Sequence, residues 1–248
     1  MSTTLVSSGE DLAEPTDTRA ASATVPAAVA HGLQLDGRRG RIYGPVDLDI
    51  APGSLNLVTG RAGSGKTSLL LTLVGRLKPN RGSDLVVLGR PLPARAAGVQ
   101  RRSAAVGVHG LDDLDEEVTV AATIREREAW LAPWYRVVRT PGDEQVAEVC
   151  AEVFGRSPLP RAKQLVHELD EAANLQLRLA LALLGGPQLI VVDDIDALHD
   201  TDSRRLVWES LRALTERGVT VITAAATASE LSRLGGNDLP NHIPLPGR

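Results

Sequence analysis

The run Gly60-Arg61-Ala62-Gly63-Ser64-Gly65-Lys66-Thr67 meets the pattern G-x-x-x-x-G-K-[ST] without a mismatch. That spacing suits the binding of a polyphosphate. The glycines let the backbone wrap round the phosphates, with successive N–H groups facing inward. A helix starting at the lysine adds its positive end. Lys66 would reach the β- and γ-phosphates, the Thr67 hydroxyl would bind Mg²⁺, and Ser68 closes the binding run. Lysine is scarce, Lys66, Lys78 and Lys163 being the only ones, so its place in the pattern carries weight. The second acidic component is Asp193, at the end of the apolar run Leu189-Ile190-Val191-Val192. A carboxylate there would face the Mg²⁺ across a sheet; the competing reading is a solvated turn acid.

These residues need a particular frame. A short strand over Ser54–Thr59 leads into the loop, and a helix over Lys66–Leu77 follows it, with Leu69, Leu70, Leu73, Val74 and Leu77 on one face. Further strands are expected at Leu85–Leu88, Ala104–Val108 and Val219–Thr223, and Leu189–Val192 reads as a strand buried on both faces. Strands alternating with helices imply a parallel α/β sheet. Between about Gly110 and Leu184 strand signals vanish. Helical patterns run over Thr119–Trp134, Glu144–Phe154 and Ala172–Leu184, which implies a helical subdomain inserted into the α/β core. Trp130, Trp134, Tyr135 and Phe154 all lie in this insert, either as anchors for a partner or as its small core.

Composition limits the options. Residues 1–28 are rich in Ser, Thr, Ala and Pro without an apolar period, and read as a disordered tail before a domain over 29–248. A formal net charge of -4 argues against a nucleic-acid partner held by a basic face. The single cysteine, Cys150, cannot form an internal disulfide. The most apolar stretch, Leu175–Val192, is broken by Arg178 and Gly185-Gly186-Pro187, so no membrane span is expected. No signal peptide is visible either, and the expected location is the cytoplasm.

The chain resembles the ATP-binding cassette (ABC) ATPases over roughly Leu33–Leu234. The resemblance rests on the glycine-rich loop, on Val46-Asp47-Leu48-Asp49-Ile50-Ala51-Pro52-Gly53 before it, and on Leu77-Lys78-Pro79-Asn80-Arg81-Gly82 with Val86-Val87-Leu88-Gly89-Arg90 after it. It also rests on Leu183-Leu184-Gly185-Gly186-Pro187-Gln188-Leu189 leading into Asp193. It implies an α/β P-loop NTPase core of ABC type with an inserted α-helical subdomain, and ATP with Mg²⁺ as ligands. Within that resemblance Gly60–Ser68 would bind nucleotide, Thr67 and Asp193 would bind the metal, and Asp194 would stand at the catalytic glutamate position, one methylene short.

Several family positions are altered. His109 stands near the place of the glutamine that follows the strand after the loop. The Leu-Ser-Gly-Gly-Gln signature falls on Leu169-Asp170-Glu171-Ala172-Ala173, the D-loop aspartate on Asp200, and the switch histidine on Ala226 or Ala225. The adenine-stacking aromatic lacks a counterpart near Asp36, Tyr43 lying downstream of it. In the family two cassettes close head to tail, each signature capping the other's ATP. Carboxylates at Asp170 and Glu171 would oppose closure of two identical copies over ATP. Three readings follow: a transporter motor with weak hydrolysis, a non-catalytic nucleotide sensor or scaffold, and a soluble ABC protein of DNA repair or translation. The last would usually bring a second cassette, a coiled coil or a basic face. The resemblance further implies an integral membrane subunit docked on the helical subdomain, a second cassette as homo- or heterodimer partner, and a peripheral place on the inner face of the cell membrane. The acidic loop Asp112-Asp113-Leu114-Asp115-Glu116-Glu117 would either meet basic loops of that subunit or simply be solvated.

Overall fold

The computed structural model describes residues 25–193, 195–227 and 240–245. The tail expected over 1–28 lies outside them apart from 25–28, and Asp194 also lies outside them. Strand β1 (Ala28–Gly37) turns into β2 (Gly40–Ile50), and β3 (Leu55–Thr59) runs through the glycine-rich loop into α1 (Lys66–Leu73). A hairpin of β4 (Asp84–Val87) and β5 (Arg90–Pro91) and a short helix, α2 (Ala96–Gln100), lead to β6 (Ser103–Val106). Three helices follow: α3 (Val120–Leu131), α4 (Asp143–Phe154) and α5 (Glu171–Leu183). The chain then forms β7 (Leu189–Val192), α6 (Thr201–Glu216), β8 (Thr220–Ala225) and β9 (Asn241–Pro244).

The strands form two sheets. One is antiparallel in the order β2-β1-β4-β5; the other is parallel in the order β6-β7-β8-β3-β9. The parallel sheet is the expected α/β core, with its glycine-rich loop at the carboxyl end of β3, where such sheets bind ligands. Its strands are buried on both faces because alternate residues enter different cores. Leu57, Ile190, Val192 and Val221 join the helices α3 to α6, whereas Val58, Leu189, Val191 and Ile222 pack with α1 and the antiparallel sheet. The antiparallel sheet was not foreseen as a unit. Its sign in the sequence is the alternation Val46, Leu48, Ile50 in β2, buried between the exposed Pro45, Asp47 and Asp49.

Two helices stop earlier than periodicity suggests. α1 ends at Leu73 rather than Leu77 because the chain folds back, the N–H groups of Arg76 and Leu77 both returning to Leu71 O at 2.8 and 3.2 Å. α3 ends at Leu131 rather than Trp134. Pro133 holds Ala132 extended, at φ -75 and ψ 151. Helices and loops occupy the whole span between β6 and β7, apart from a single bridge between Thr119 and Leu165. Phe154 is buried there, but Trp130, Trp134 and Tyr135 are 79%, 96% and 73% exposed. The aromatics of the insert therefore divide, one forming core and three facing outward. No helix among the described residues is long and apolar enough to cross a membrane.

Candidate functional site

The glycine-rich loop crosses from β3 to α1 as a turn closed by the Ser64 N–H on Arg61 O at 3.1 Å. Gly65 sits at φ +90, and a Cβ there would lie 2.6 Å from Ile42 O and 2.9 Å from the Tyr43 Cβ. Only glycine fits, because the loop rests directly on β2. Tyr43 is buried beneath it and donates its hydroxyl to Thr72 Oγ1 at 2.8 Å. Burial pushes this phenol up to about 12, the Thr72 bond offsetting it in part. Tyr43 is thus a support for the loop and not a base-stacking aromatic.

No side chain caps α1. The amides of its first turn face the hollow of the loop, an arrangement suited to an anion. Lys66 Nζ donates to Gly60 O at 2.7 Å and Arg61 O at 3.3 Å, so its ammonium lies across the same hollow. Ser64 Oγ is buried beside Gly60 without a hydrogen-bond partner, so it packs the turn and does not line the hollow. A lysine ammonium and uncapped amides together fit a polyphosphate.

The expected metal pair also meets. The Thr67 hydroxyl donates to Asp193 Oδ2. Two hard oxygen ligands at the head of α1 and the end of β7 fit Mg²⁺, which binds through few protein oxygens and completes its shell with phosphates and water. A cleft of about 360 Å³ opens here, lined by Lys66, Thr67, Gly107, Val108, His109, Asp193, Asp196 and Ala224. His109 is fully exposed at its rim, with Nδ1 3.3 Å from Asp113 Oδ2. Of the residues singled out, Lys66, Thr67, His109 and Asp193 are brought together. Arg61, Ala62 and Gly63 form the exposed outer curve of the loop, and Ser68 lies in the first turn of α1.

Sequence reasoning missed three features. The first is Asp196, which enters the cleft and accepts the Ala226 N–H at 2.5 Å. It thereby fastens the segment where a switch histidine would stand. The second is Asp112, which accepts the N–H groups of Gly107 and Val108, both at 2.8 Å, and folds the loop after β6. Burial raises its carboxyl, against Arg178 and these two amides. Asp113 is held low, chiefly by the Gly110 N–H and further by His109 and Arg178. The start of the acidic loop is thus neither wholly solvated nor free for a partner. Arg178 on α5 lies 3.7 Å from Asp112 and 2.7 Å from Asp113, joining the helical insert to the cleft rim.

The third is the Gly107 contact. At φ +73 a Cβ on Gly107 would lie 2.3 Å from Asp193 O, so the loop after β6 presses on the Asp193 end of β7.

At the other end of the insert, Asp170 caps α5 by accepting the Ala173 N–H at 2.7 Å. Glu171 accepts the backbone N–H of His199 at 3.0 Å and stands 3.0 Å from its Nδ1. The His199 N–H holds the Glu171 carboxyl below its usual value, helped by the imidazole. Asp200 caps α6 through the Ser203 N–H at 2.8 Å, the main cause of its own lowered value.

Residues 43–197 match the sequence model of the family described as ABC transporter. The Nod factor export ATP-binding protein I of Mesorhizobium japonicum is 35% identical over 189 residues, covering 76% of this chain and 53% of that protein. Its counterpart from Rhizobium meliloti is 30% identical over 224 residues, covering 90% and 63%. The chain thus spans between about half and two thirds of the length of these curated relatives. Among solved structures, cbiO1 from Clostridium perfringens, part of the ABC transporter complex cbiONQ, shares the fold. Its TM-score is 0.66 at 16% identity, covering 82% of this chain and 79% of that one. The ADP conformation of MJ1267, an ATP-binding cassette of an ABC transporter, has a TM-score of 0.66 at 17% identity, covering 89% and 90%.

Proposed function

The chain belongs to the ABC transporter family, and from that premise we propose that it binds Mg-ATP and couples nucleotide state to a membrane transporter subunit, with weak or impaired hydrolysis. The observation that carries this reading is the convergence of Lys66, Thr67 and Asp193 beneath the Gly60–Gly65 turn.

In this reading Lys66 leaves the Gly60 and Arg61 carbonyls for the β- and γ-phosphates, while the loop amides hold the remaining oxygens. Thr67 and Asp193 hold the metal, which when bound neutralises charge on the phosphate oxygens. Asp194 and His109 are the candidates to orient water, His109 standing at the rim of the cleft. We assign the nucleotide-binding domain to about 27–248, because Ala27 and Ala28, expected in the tail, are buried and Ala28 opens β1, with a helical subdomain over about 110–184.

Impaired hydrolysis is supported by what surrounds the cleft. Ala226 and Ala225 offer no side-chain donor to a γ-phosphate, and Asp196 adds a further carboxylate beside Asp193. Asp170 caps the N-terminus of α5, where the family's signature would hold a neighbour's phosphate. A carboxylate about 5 Å from a phosphate charge costs about 3 kcal/mol at an effective dielectric near 20. Any tight ATP sandwich is therefore formed with a different cassette carrying an ordinary signature. The same features favour a second reading, a non-catalytic nucleotide sensor.

The transporter names of the relatives support a membrane subunit as partner, docked on the helical subdomain, and hence a cytoplasmic protein peripheral to the inner face of the cell membrane. Arg178 would carry the nucleotide state of the cleft rim to that subdomain. Steady-state turnover of Mg-ATP, alone and beside Lys66→Ala, separates the two readings. Slow turnover lost in the variant supports the motor, and saturable binding without turnover supports the sensor.

A further inference from the structure

The chain has three tryptophans, two tyrosines and one phenylalanine. Two of these six, Trp134 and Tyr135, face outward together on one ledge just past the end of α3, which is uncommon in so aromatic-poor a chain. Pro133-Trp134-Tyr135-Arg136 is a turn closed by the Arg136 N–H on Pro133 O at 2.9 Å. The two rings at its tip meet edge to face, with centroids 5.9 Å apart. Val137 beside them is 86% exposed. The ledge is held in place by Arg125, whose Nε donates to Val138 O at 3.2 Å.

Its charge is as distinctive as its aromaticity. From Leu131 to Gly142 the chain carries Arg136 and Arg139 and no acid, against a chain average that is net negative. Behind the tip lies a hollow of about 520 Å³, where Arg136 and Arg139 stand beside Leu131, Val138 and Leu184, with Glu128 at its edge. Among the described residues neither arginine has a side-chain partner. An aromatic tip that protrudes, rather than a pocket that receives, suits a soft interface. Tryptophan and tyrosine favour the headgroup depth of a bilayer, and guanidinium groups favour anionic lipid.

We propose that the Pro133–Arg139 ledge is a lipid-binding surface that inserts Trp134 and Tyr135 among the headgroups of an anionic membrane while Arg136 and Arg139 bind lipid phosphates. The contact needs neither nucleotide nor a membrane subunit. It gives the chain its own hold on the bilayer next to any protein partner.

The test is co-sedimentation of the full chain with phosphatidylcholine vesicles and with vesicles containing phosphatidylglycerol, followed also by tryptophan fluorescence. The expected result is binding to the anionic vesicles with a blue shift, weakening as salt rises. Arg136→Gln with Arg139→Gln should lower that affinity roughly fivefold per arginine. Trp134→Ala with Tyr135→Ala should abolish the blue shift while leaving the fold, read by circular dichroism, unchanged. Lys66→Ala should bind vesicles as the parent does, which separates this surface from the nucleotide site. Absence of vesicle binding by the parent chain, or binding that both double variants retain, overturns the proposal. So does a ledge that binds only a purified membrane subunit in detergent.

Discussion

The Asp170 carboxylate accepts the Ala173 N–H at 2.7 Å, so an acid of the same chain caps α5. In a cassette dimer that terminus is offered to the nucleotide of the neighbour. Here a negative charge stands at it, and the adjoining Glu171 is turned to His199.

Asp170→Ser with Glu171→Gly should therefore promote ATP-dependent self-association. Serine still caps α5, while the carboxylates that would face a phosphate are gone. Light scattering behind size exclusion should show dimers with Mg-ATP in the double variant and monomers in the parent. Equal behaviour of the two would count against the electrostatic explanation.

Asp196 predicts a shift in ligand preference. Asp196→Asn keeps an acceptor for the Ala226 N–H and removes one negative charge from the cleft. ATP affinity should rise by roughly tenfold, and ADP affinity by less, because the γ-phosphate adds the charge nearest the cleft. Calorimetric titration of both nucleotides checks this, and an equal gain for ATP and ADP would be inconsistent with it.

Gly107 should tolerate no side chain. Gly107→Ala puts a methyl 2.3 Å from Asp193 O at a backbone φ of +73. The cost is about 1–3 kcal/mol from backbone strain alone, and displacement of Asp193 should weaken the Mg²⁺ dependence of nucleotide binding. Thermal melts with and without Mg-ATP report both effects. A parent-like melt would contradict the contact.

The pH dependence of stability carries the sign of Glu171. Its folded value is depressed, mainly by the His199 N–H. Its contribution is present above the ordinary glutamate value of about 4.3 and is lost as pH falls through the lower folded value. Glu171→Gln should melt below the parent near neutral pH and converge with it in acid. A difference that stays constant with pH would show that the carboxylate charge is not involved.

What the sequence disclosed depended on whether the forces were local. The glycine-rich loop and the buried β7 are set by neighbouring residues, and each lies where its pattern predicts. Asp112, Asp196 and Glu171 were opaque. Asp112 closes its loop by bonding backbone a few residues back, a turn that no periodicity marks. Asp196 and Glu171 bond residues 30 and 28 positions away. The division between buried Phe154 and exposed Trp130, Trp134 and Tyr135 was equally hidden. Pro133 ends α3 and carries the last two aromatics off the helix, a geometric consequence legible only once the helix end is fixed.

The most direct test of nucleotide binding is calorimetric titration of ATP into the purified chain, with and without Mg²⁺, beside Lys66→Ala and Asp193→Asn. The account predicts saturable binding that strengthens with Mg²⁺, is lost in Lys66→Ala, and loses its Mg²⁺ dependence in Asp193→Asn. Failure of the parent chain to bind, or equal affinity in Lys66→Ala, would contradict it.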